Sequence, residues 1–342
     1  MTKGKLKFIS GIALSMLLLV ACGDATDTSS NGASADTETY TINIAYGNQP
    51  GEPIDELAKK WEELAEEKSN GQIDLVLYPS SQLGAEKDVI EQAIQGNNVI
   101  VLAGYDFLLD YVPDAGILTA PYLTDDTELL RKITDTEWFS NINNQLKDKG
   151  VSVIIPNVVY GERHLMTGKK VETPEDLAGL KVRVPNNQMS IKTMEALGAA
   201  ATPLPLADLY PSLQQGLIDG AENPVSVLHG AKVQEVSKYL SLTGHQRFIV
   251  SFSGGESFIN GLPEDIVTIL KETGAEAADY GYEVLKETDQ KVLEAFEAEG
   301  VEIVEVDTAL FKEKVASVYD EFEDVWSDNL YNNLLAELEN LK

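Results

Sequence analysis

From residue 263 to about residue 299 the chain carries a helical pattern interrupted only by the small residues Gly274 and Gly281. At 1.5 Å of rise per residue such a helix is roughly 50 Å long, more than one lobe is wide. A chain that contains it needs a second body of protein along which the helix can continue. The length agrees: 342 residues exceed what a single hydrophobic core ordinarily serves, so two α/β lobes are expected.

The first lobe is announced by alternation. Residues 40–46 repeat with period two and predict a strand. Ile54, Leu57, Ala58, Trp61, Leu64 and Ala65 follow at helical spacing, closed by Asn70-Gly71. Residues 73–78 predict a strand, 85–95 a helix, and 99–103 a buried apolar strand. Strand, helix, strand, helix, strand at this spacing predicts βαβ units. Beyond them the pattern predicts one helix over 126–149, a strand over 151–156, and a helix start at Thr173-Pro174. A strand over 181–184 and a helix over 190–197, stopped by Gly198, come next. Pro211 suits a helix only if that helix opens near Ala207, where the missing N–H falls in the unpaired first turn. The remaining expectations are a helix over 225–236, strands over 247–252 and 301–306, and one helix over 308–341.

The N-terminus reads differently. Lys3, Lys5 and Lys7 precede an apolar run of 13 residues, 8–20, too short to span a membrane but suited to a signal peptide. Leu19-Val20-Ala21-Cys22 then reads as a lipobox, with residues 1–21 removed and Cys22 lipidated. Residues 22–39 are rich in Ser, Thr, Asp, Gly and Asn and predict a flexible tether. Cys22 is the only cysteine, so the fold relies on no disulfide. Removing residues 1–21 takes away three lysines and no acids, moving the net charge from −30 to −33. Such acidity argues strongly against nucleic acid as a partner. It also makes any arginine placed for an anion more telling, because the local field must oppose the global one.

Two arginines stand out. Alternation sets Arg183 opposite Val182 and Val184, facing a groove or solvent, and a guanidinium fork matches a carboxylate bidentately. For an isolated arginine the ordinary reading is an ion pair with one of the 56 acids, and the same holds for Arg163. Asn223, in Asp219-Gly220-Ala221-Glu222-Asn223-Pro224, reads as part of a turn. Glu86 opens a helix, where its charge suits the dipole. Tyr105 and Asp106 follow a buried strand at its carboxyl end, where open α/β sheets place ligands. His164, His229 and His245 lack metal-ligand spacing, so no metal or cofactor is expected. No nucleophile elbow and no phosphate loop occurs, so a secreted α/β hydrolase or lyase has no motif to support it.

Taken in order, these stretches resemble the substrate-binding proteins of tripartite ATP-independent periplasmic (TRAP) transporters, the dicarboxylate-binding family. The resemblance covers nearly everything from Tyr40 onward. It is carried by Tyr78-Pro79-Ser80-Ser81-Gln82-Leu83-Gly84, by Thr173-Pro174-Glu175-Asp176-Leu177, by Gly179-Leu180-Lys181-Val182-Arg183-Val184-Pro185, by Gly220-Ala221-Glu222-Asn223-Pro224 and by residues 233–245. It implies an α/β, two-lobe periplasmic-binding-protein-like fold with a long helix spanning both lobes. Lobe I would take residues 40–160 and 249–288, and lobe II residues 161–248 and 289–342. It also implies that Arg183 clamps a substrate carboxylate, that Arg163 is a second arginine of the site, and that Asn223 binds the same carboxylate region. Leu206 stands where sialic-acid-binding relatives have an aromatic ring. Glu86 matches an acidic contact of those relatives, and Gly104 replaces another. A uronate, an aldonate or a short dicarboxylate is therefore the expected ligand. The expected role is an extracytoplasmic solute receptor, not an enzyme, anchored by lipid to the outer face of the membrane and serving TRAP membrane subunits. A receptor for another transporter or sensor class is the alternative.

Overall fold

Strand β1 (Tyr40–Ala45) forms where alternation turns Ile42 and Ile44 inward, both fully buried. Helix α1 (Pro53–Lys68) opens on a proline, with Asp55 and Glu56 near its positive end. The computed structural model describes residues 38–342. The signal segment, the lipidation site Cys22 and the tether as far as residue 37 lie outside the described residues. Asn70 and Gly71, at φ of 53° and 79°, turn the chain out of α1 into β2 (Ile73–Tyr78). Helix α2 (Glu86–Ile94), the wholly buried strand β3 (Val99–Gly104) and the short helix α3 (Tyr105–Leu108) follow.

The helix expected over 126–149 is two helices, α4 (Thr127–Lys132) and α5 (Glu137–Asp148), because the segment holds two N-caps. Asp126 accepts from the backbone of Glu128 and Leu129, and Thr136 from that of Phe139. Strand β4 (Val151–Thr167) runs through Pro156, where the register shifts between Ile155 and Val158; a bulge tolerates the missing N–H. Thr173-Pro174 opens only a 3-10 turn, with the capping box of Thr173 and Asp176 in place. Then come β5 (Lys181–Val184), α6 (Gln188–Ala196), β6 (Ala200–Pro203), α7 (Leu209–Gln214), β7 (Gly220–Pro224) and α8 (Val225–Gly230). Pro211 lies in the first turn of α7, as required. The turn expected around Asn223 is instead the strand β7, buried along its whole length. The helix expected to reach residue 236 ends at Gly230, with Lys232 in the left-handed region. Strand β8 (Tyr239–Gly255), α9 (Glu256–Ile259), α10 (Glu264–Ala298), β9 (Glu302–Val304), α11 (Thr308–Phe322) and α12 (Leu330–Asn340) complete the chain. The last two replace the single expected helix, because Ser327 is held by hydrogen bonds to Asp114 and Asn329 turns left-handed.

One nine-stranded mixed sheet organises the described residues in the order β2-β1-β3-β8-β4-β7-β5-β6, with β9 on β8. It has two parallel wings: β1 pairs with β2 and β3, and β5 with β6 and β7. The antiparallel strands β4 and β8, 17 residues each, join the wings. At one end β8 also pairs with β3 through residues 250–254; at the other, β4 pairs with β7 through residues 163–167.

Helix α10 belongs to both wings. Its Ile266, Leu270, Ala277 and Ala278 share a core with Trp61 and Phe252, while Val292 and Phe296 share another with Leu209 and Leu240. At 35 residues it is roughly 50 Å long. Its glycines are close-contact points. A Cβ on Gly281 would lie 2.7, 2.9 and 3.0 Å from three side-chain atoms of Leu57 in α1, and one on Gly274 would lie 2.5 Å from Ile155. In an uncrowded helix, Gly→Ala gains about 1 kcal/mol, whereas overpacking costs about 1–3 kcal/mol. Gly281→Ala is therefore expected to destabilise the protein by about 1 kcal/mol or more in urea denaturation; a raised midpoint would refute the close α1–α10 contact.

Candidate functional site

The carboxyl ends of β1, β3, β5, β6 and β7 converge on a cavity of about 180 Å³. Parallel strands leave such a crevice at their carboxyl ends because the chain departs there in different directions. It has room for one small molecule rather than a polymer.

Arg183 enters it from β5. Val182 and Val184 are fully buried in the core on one face of the strand, which leaves Arg183 to the other. Its Nε donates to the Leu204 carbonyl at 2.9 Å, and it is 3% exposed. Among the described residues it forms no ion pair with a carboxylate. Burial, together with the like charge of Arg163, pulls the guanidinium down to about 10, so it remains a cation at neutral pH. Lys87, also at the cavity, pairs with Asp110 at 2.7 Å.

Arg163 enters from β4 and already has an anion. Its Nε donates to Glu222 Oε2, and its Nη2 donates to Glu222 Oε1 at 2.6 Å and to the Glu222 carbonyl at 3.1 Å. The antiparallel register of β4 and β7 sets Arg163 beside Pro224, diagonally across from Glu222. His245 Nε2 lies 3.3 Å from Glu222 Oε2, and its Nδ1 lies 2.8 Å from Thr243 Oγ1. Burial alone would raise Glu222, but the charge of Arg163 and the bonds from His245 and Arg163 outweigh it and hold the carboxyl at about 2. The surface ion pair expected of an isolated arginine is thus a buried one for Arg163 and does not form for Arg183.

Asn223, 1% exposed, reaches the cavity from β7 with its Oδ1 unpaired among the described residues. Asp106 accepts from Asn187 Nδ2 at 2.6 Å through Oδ2, and its Oδ1 is likewise unpaired. Burial pushes Asp106 up to about 6. Glu86, half-buried at the rim, is pushed up to about 8 by burial and by Asp106. Leu206 forms part of an apolar wall. Tyr105 does not join them. Its ring is buried edge-on to Phe139 and its hydroxyl donates to the Pro156 carbonyl at 2.7 Å, so adjacent positions in the α3 turn face opposite ways. At Gly104 an added Cβ would sit 1.9 Å from Asp106 Oδ1, so Asp106 occupies the space a side chain at residue 104 would need.

Three contributors escaped the sequence reading: Asn48, Tyr160 and Asn187. Asn48 and Tyr160 line the cavity; Asn187 caps α6 through Oδ1 while its Nδ2 holds Asp106. The position of Asn48 just past a parallel strand was the available signal.

Residues 44–324 match the family of bacterial extracellular solute-binding proteins, family 7. The chain belongs to this family. It is 31% identical over 294 residues to the C4-dicarboxylate-binding periplasmic protein DctP of Rhodobacter capsulatus, covering 83% of this chain and 86% of the relative. A TRAP periplasmic solute-binding protein from Ochrobacterium anthropi, solved with bound L-fuconate, is 46% identical. Its TM-score is 0.86, with 88% of this chain and 99% of that one covered. Another, from Actinobacillus succinogenes with bound L-galactonate, is 40% identical with a TM-score of 0.87, covering 88% and 100%. This TRAP solute receptor therefore carries the fold that the resemblance implied, within an extracytoplasmic family; among the described residues no helix is long and apolar enough to cross a membrane.

Two outcomes follow for the receptor without ligand. Glu222→Gln removes the anion from a buried pair and is expected to cost about 3 kcal/mol in urea denaturation; an unchanged midpoint would mean the pair is not formed. Asp106 and Glu86 hold protons more tightly folded than unfolded, so the stability they contribute is complete below the usual carboxylate range. It is lost as pH rises through about 6 and then about 8. The melting temperature should therefore fall from pH 5 to pH 8.5, and Glu86→Gln should make the limb above pH 7 shallower without abolishing it, because burial also pushes Glu52 up to about 8; an unaltered limb would show that Glu86 is not so held.

Proposed function

We propose that this receptor captures a six-carbon polyhydroxy monocarboxylic acid, an aldonate, and carries it to TRAP membrane subunits without altering it chemically. One observation carries the reading: Arg183 is the only cation lining the cavity that lacks a carboxylate partner among the described residues. A buried unpaired cation is costly, and a ligand carboxylate relieves that cost by charge-assisted hydrogen bonds. The rest of the ligand must then be rich in donors. Asn48 Oδ1, Asp106 Oδ1 and Asn223 Oδ1 are buried acceptors with no partner among the described residues, and hydroxyl groups would satisfy them. The bound L-fuconate and L-galactonate of the two solved relatives belong to this class.

A C4-dicarboxylate, which the Rhodobacter capsulatus relative is named for, is the second reading. It fits less well. Arg163 is engaged by Glu222, so a second carboxylate would meet the acids Asp106 and Glu86 rather than an uncompensated cation.

Capture by closure suits the two wings. We divide them at Tyr160 and Ile249 and again at Thr288–Asp289, giving lobe I (40–160, 249–288) and lobe II (161–248, 289–342). Gly161, at φ 121° beside a register shift in β4, lies at the first crossing. Ligand contacts made only in the closed form would shift the population toward it. Signal cleavage before Cys22, its lipidation and a tether through residue 39 would hold the receptor on the outer face of the membrane, within reach of the membrane subunits.

Isothermal titration calorimetry tests the ligand assignment. L-Galactonate and L-fuconate are expected to bind, succinate and malate much more weakly, and each ligand to be recovered unchanged. Tighter binding of a C4-dicarboxylate would overturn the preference. Arg183→Ala is expected to weaken the aldonate by about 2–5 kcal/mol; a loss within error would remove Arg183 as the clamp.

A further inference from the structure

Asn48 is 1% exposed and stands at the cavity just beyond β1. Its Nδ2 donates to Glu52 Oε2 at 2.7 Å, and its side chain also hydrogen-bonds the Tyr160 hydroxyl. Its Oδ1 has no partner among the described residues. A carboxamide has a donor end and an acceptor end, and a half-turn about its last bond exchanges them. Which end meets a ligand is therefore not a property of Asn48. A carboxyl oxygen 2.7 Å from the amide nitrogen decides it.

Glu52 has the features of a part built for that task. It is 6% exposed and directly precedes α1, yet its side chain makes no hydrogen bond capping that helix. It cannot easily swing aside, because a Cβ on Gly230 at the end of α8 would sit 1.9 Å from Glu52 Oε1 and 2.8 Å from its Cδ. Burial pushes its carboxyl up to about 8, against the hydrogen bonds from Asn48 and the Gln49 backbone. The neighbouring acid Asp55 is occupied by Lys59, Tyr46 and the Gly51 backbone. The oxygen it turns to the Asn48 amide nitrogen accepts that hydrogen bond, a role a glutamine carbonyl could also fill.

We infer that Glu52 is a positioning residue that locks the Asn48 amide with its carbonyl toward the cavity, so that the site requires a hydroxyl donor there. The inference deepens the polyhydroxy-acid reading and rests on it for the ligand. A hydrogen or a carboxylate oxygen at that point leaves a buried acceptor unpaired, which is how a polar site rejects an analogue.

The ligand-free, ¹⁵N-labelled protein tests the lock without any ligand. The Asn48 side-chain amide is expected to exchange slowly with solvent in the parent and in Glu52→Gln, and rapidly in Glu52→Leu. Calorimetry with L-galactonate tests its consequence: Glu52→Leu should weaken binding about tenfold to a hundredfold, while Glu52→Gln stays within about threefold of the parent. Adding Glu52→Leu to Asn48→Ala should weaken it no further, because a residue acting through Asn48 has nothing left to position. Unchanged amide protection in Glu52→Leu, or losses that simply add in the double variant, would overturn the inference. Should Glu52→Leu fail to fold, a Glu52→Gln variant that loses amide protection overturns it equally. Protection that depends on Glu52 in a parent that does not bind L-galactonate would uphold the lock and sink the aldonate reading instead.

Discussion

The site depends on a charge imbalance held inside a strongly acidic protein. Two guanidiniums are buried at one cavity, and they are not equivalent. Arg163 is neutralised by Glu222, whose carboxyl is in turn held by His245. Arg183 has only a carbonyl on its Nε, with no carboxylate among the described residues. Surrounding acids cannot compensate it cheaply, because Asp106 and Glu86 are held toward their neutral forms by burial. In the proposed role the pair Arg163–Glu222 is a fixed wall, and Arg183 is the place where an incoming anion would gain most.

The sheet makes this arrangement possible. Arg163 and Glu222 meet because β4 and β7 are antiparallel neighbours, and Arg183 comes beside them because β5 runs parallel to β7 on its other side. Helix α10 braces both wings through cores at its two halves, with Gly274 and Gly281 letting it approach β4 and α1 closely. The acceptors around the cavity come from separate elements, yet Asn48 and Asp106 share a design. Each is held from one side, by Glu52 and by Asn187, and keeps one buried oxygen with no partner among the described residues.

Patterns that depend on near neighbours were legible in the chain. The reach of α10 followed from an unbroken helical period, and the direction of Arg183 from the valines on either side. Element ends were less legible where a cap interrupts a helical pattern, as at Thr136, or where a distant contact does, as Asp114 does at Ser327. Strand β7 was missed because Gly-Ala-Glu-Asn-Pro has little strand propensity; its hydrogen bonds to β4 and β5 make it a strand. Tyr105 and Asp106 could not be separated by position, since a tight helical turn sends one into the core and the other to the cavity.

By itself the sequence determined the α/β class, the spanning helix and the two arginines, because each follows from local period or from charge set against a strongly acidic chain. Only the tertiary structure decided which arginine is already paired, because Glu222 lies 59 residues from Arg163 and becomes its partner solely through strand register. The same holds for the acceptors opposite the clamp. Asn48, Asp106 and Asn223 come from three separate strand ends, and an unsatisfied oxygen exists only once the surrounding chain has excluded water from it.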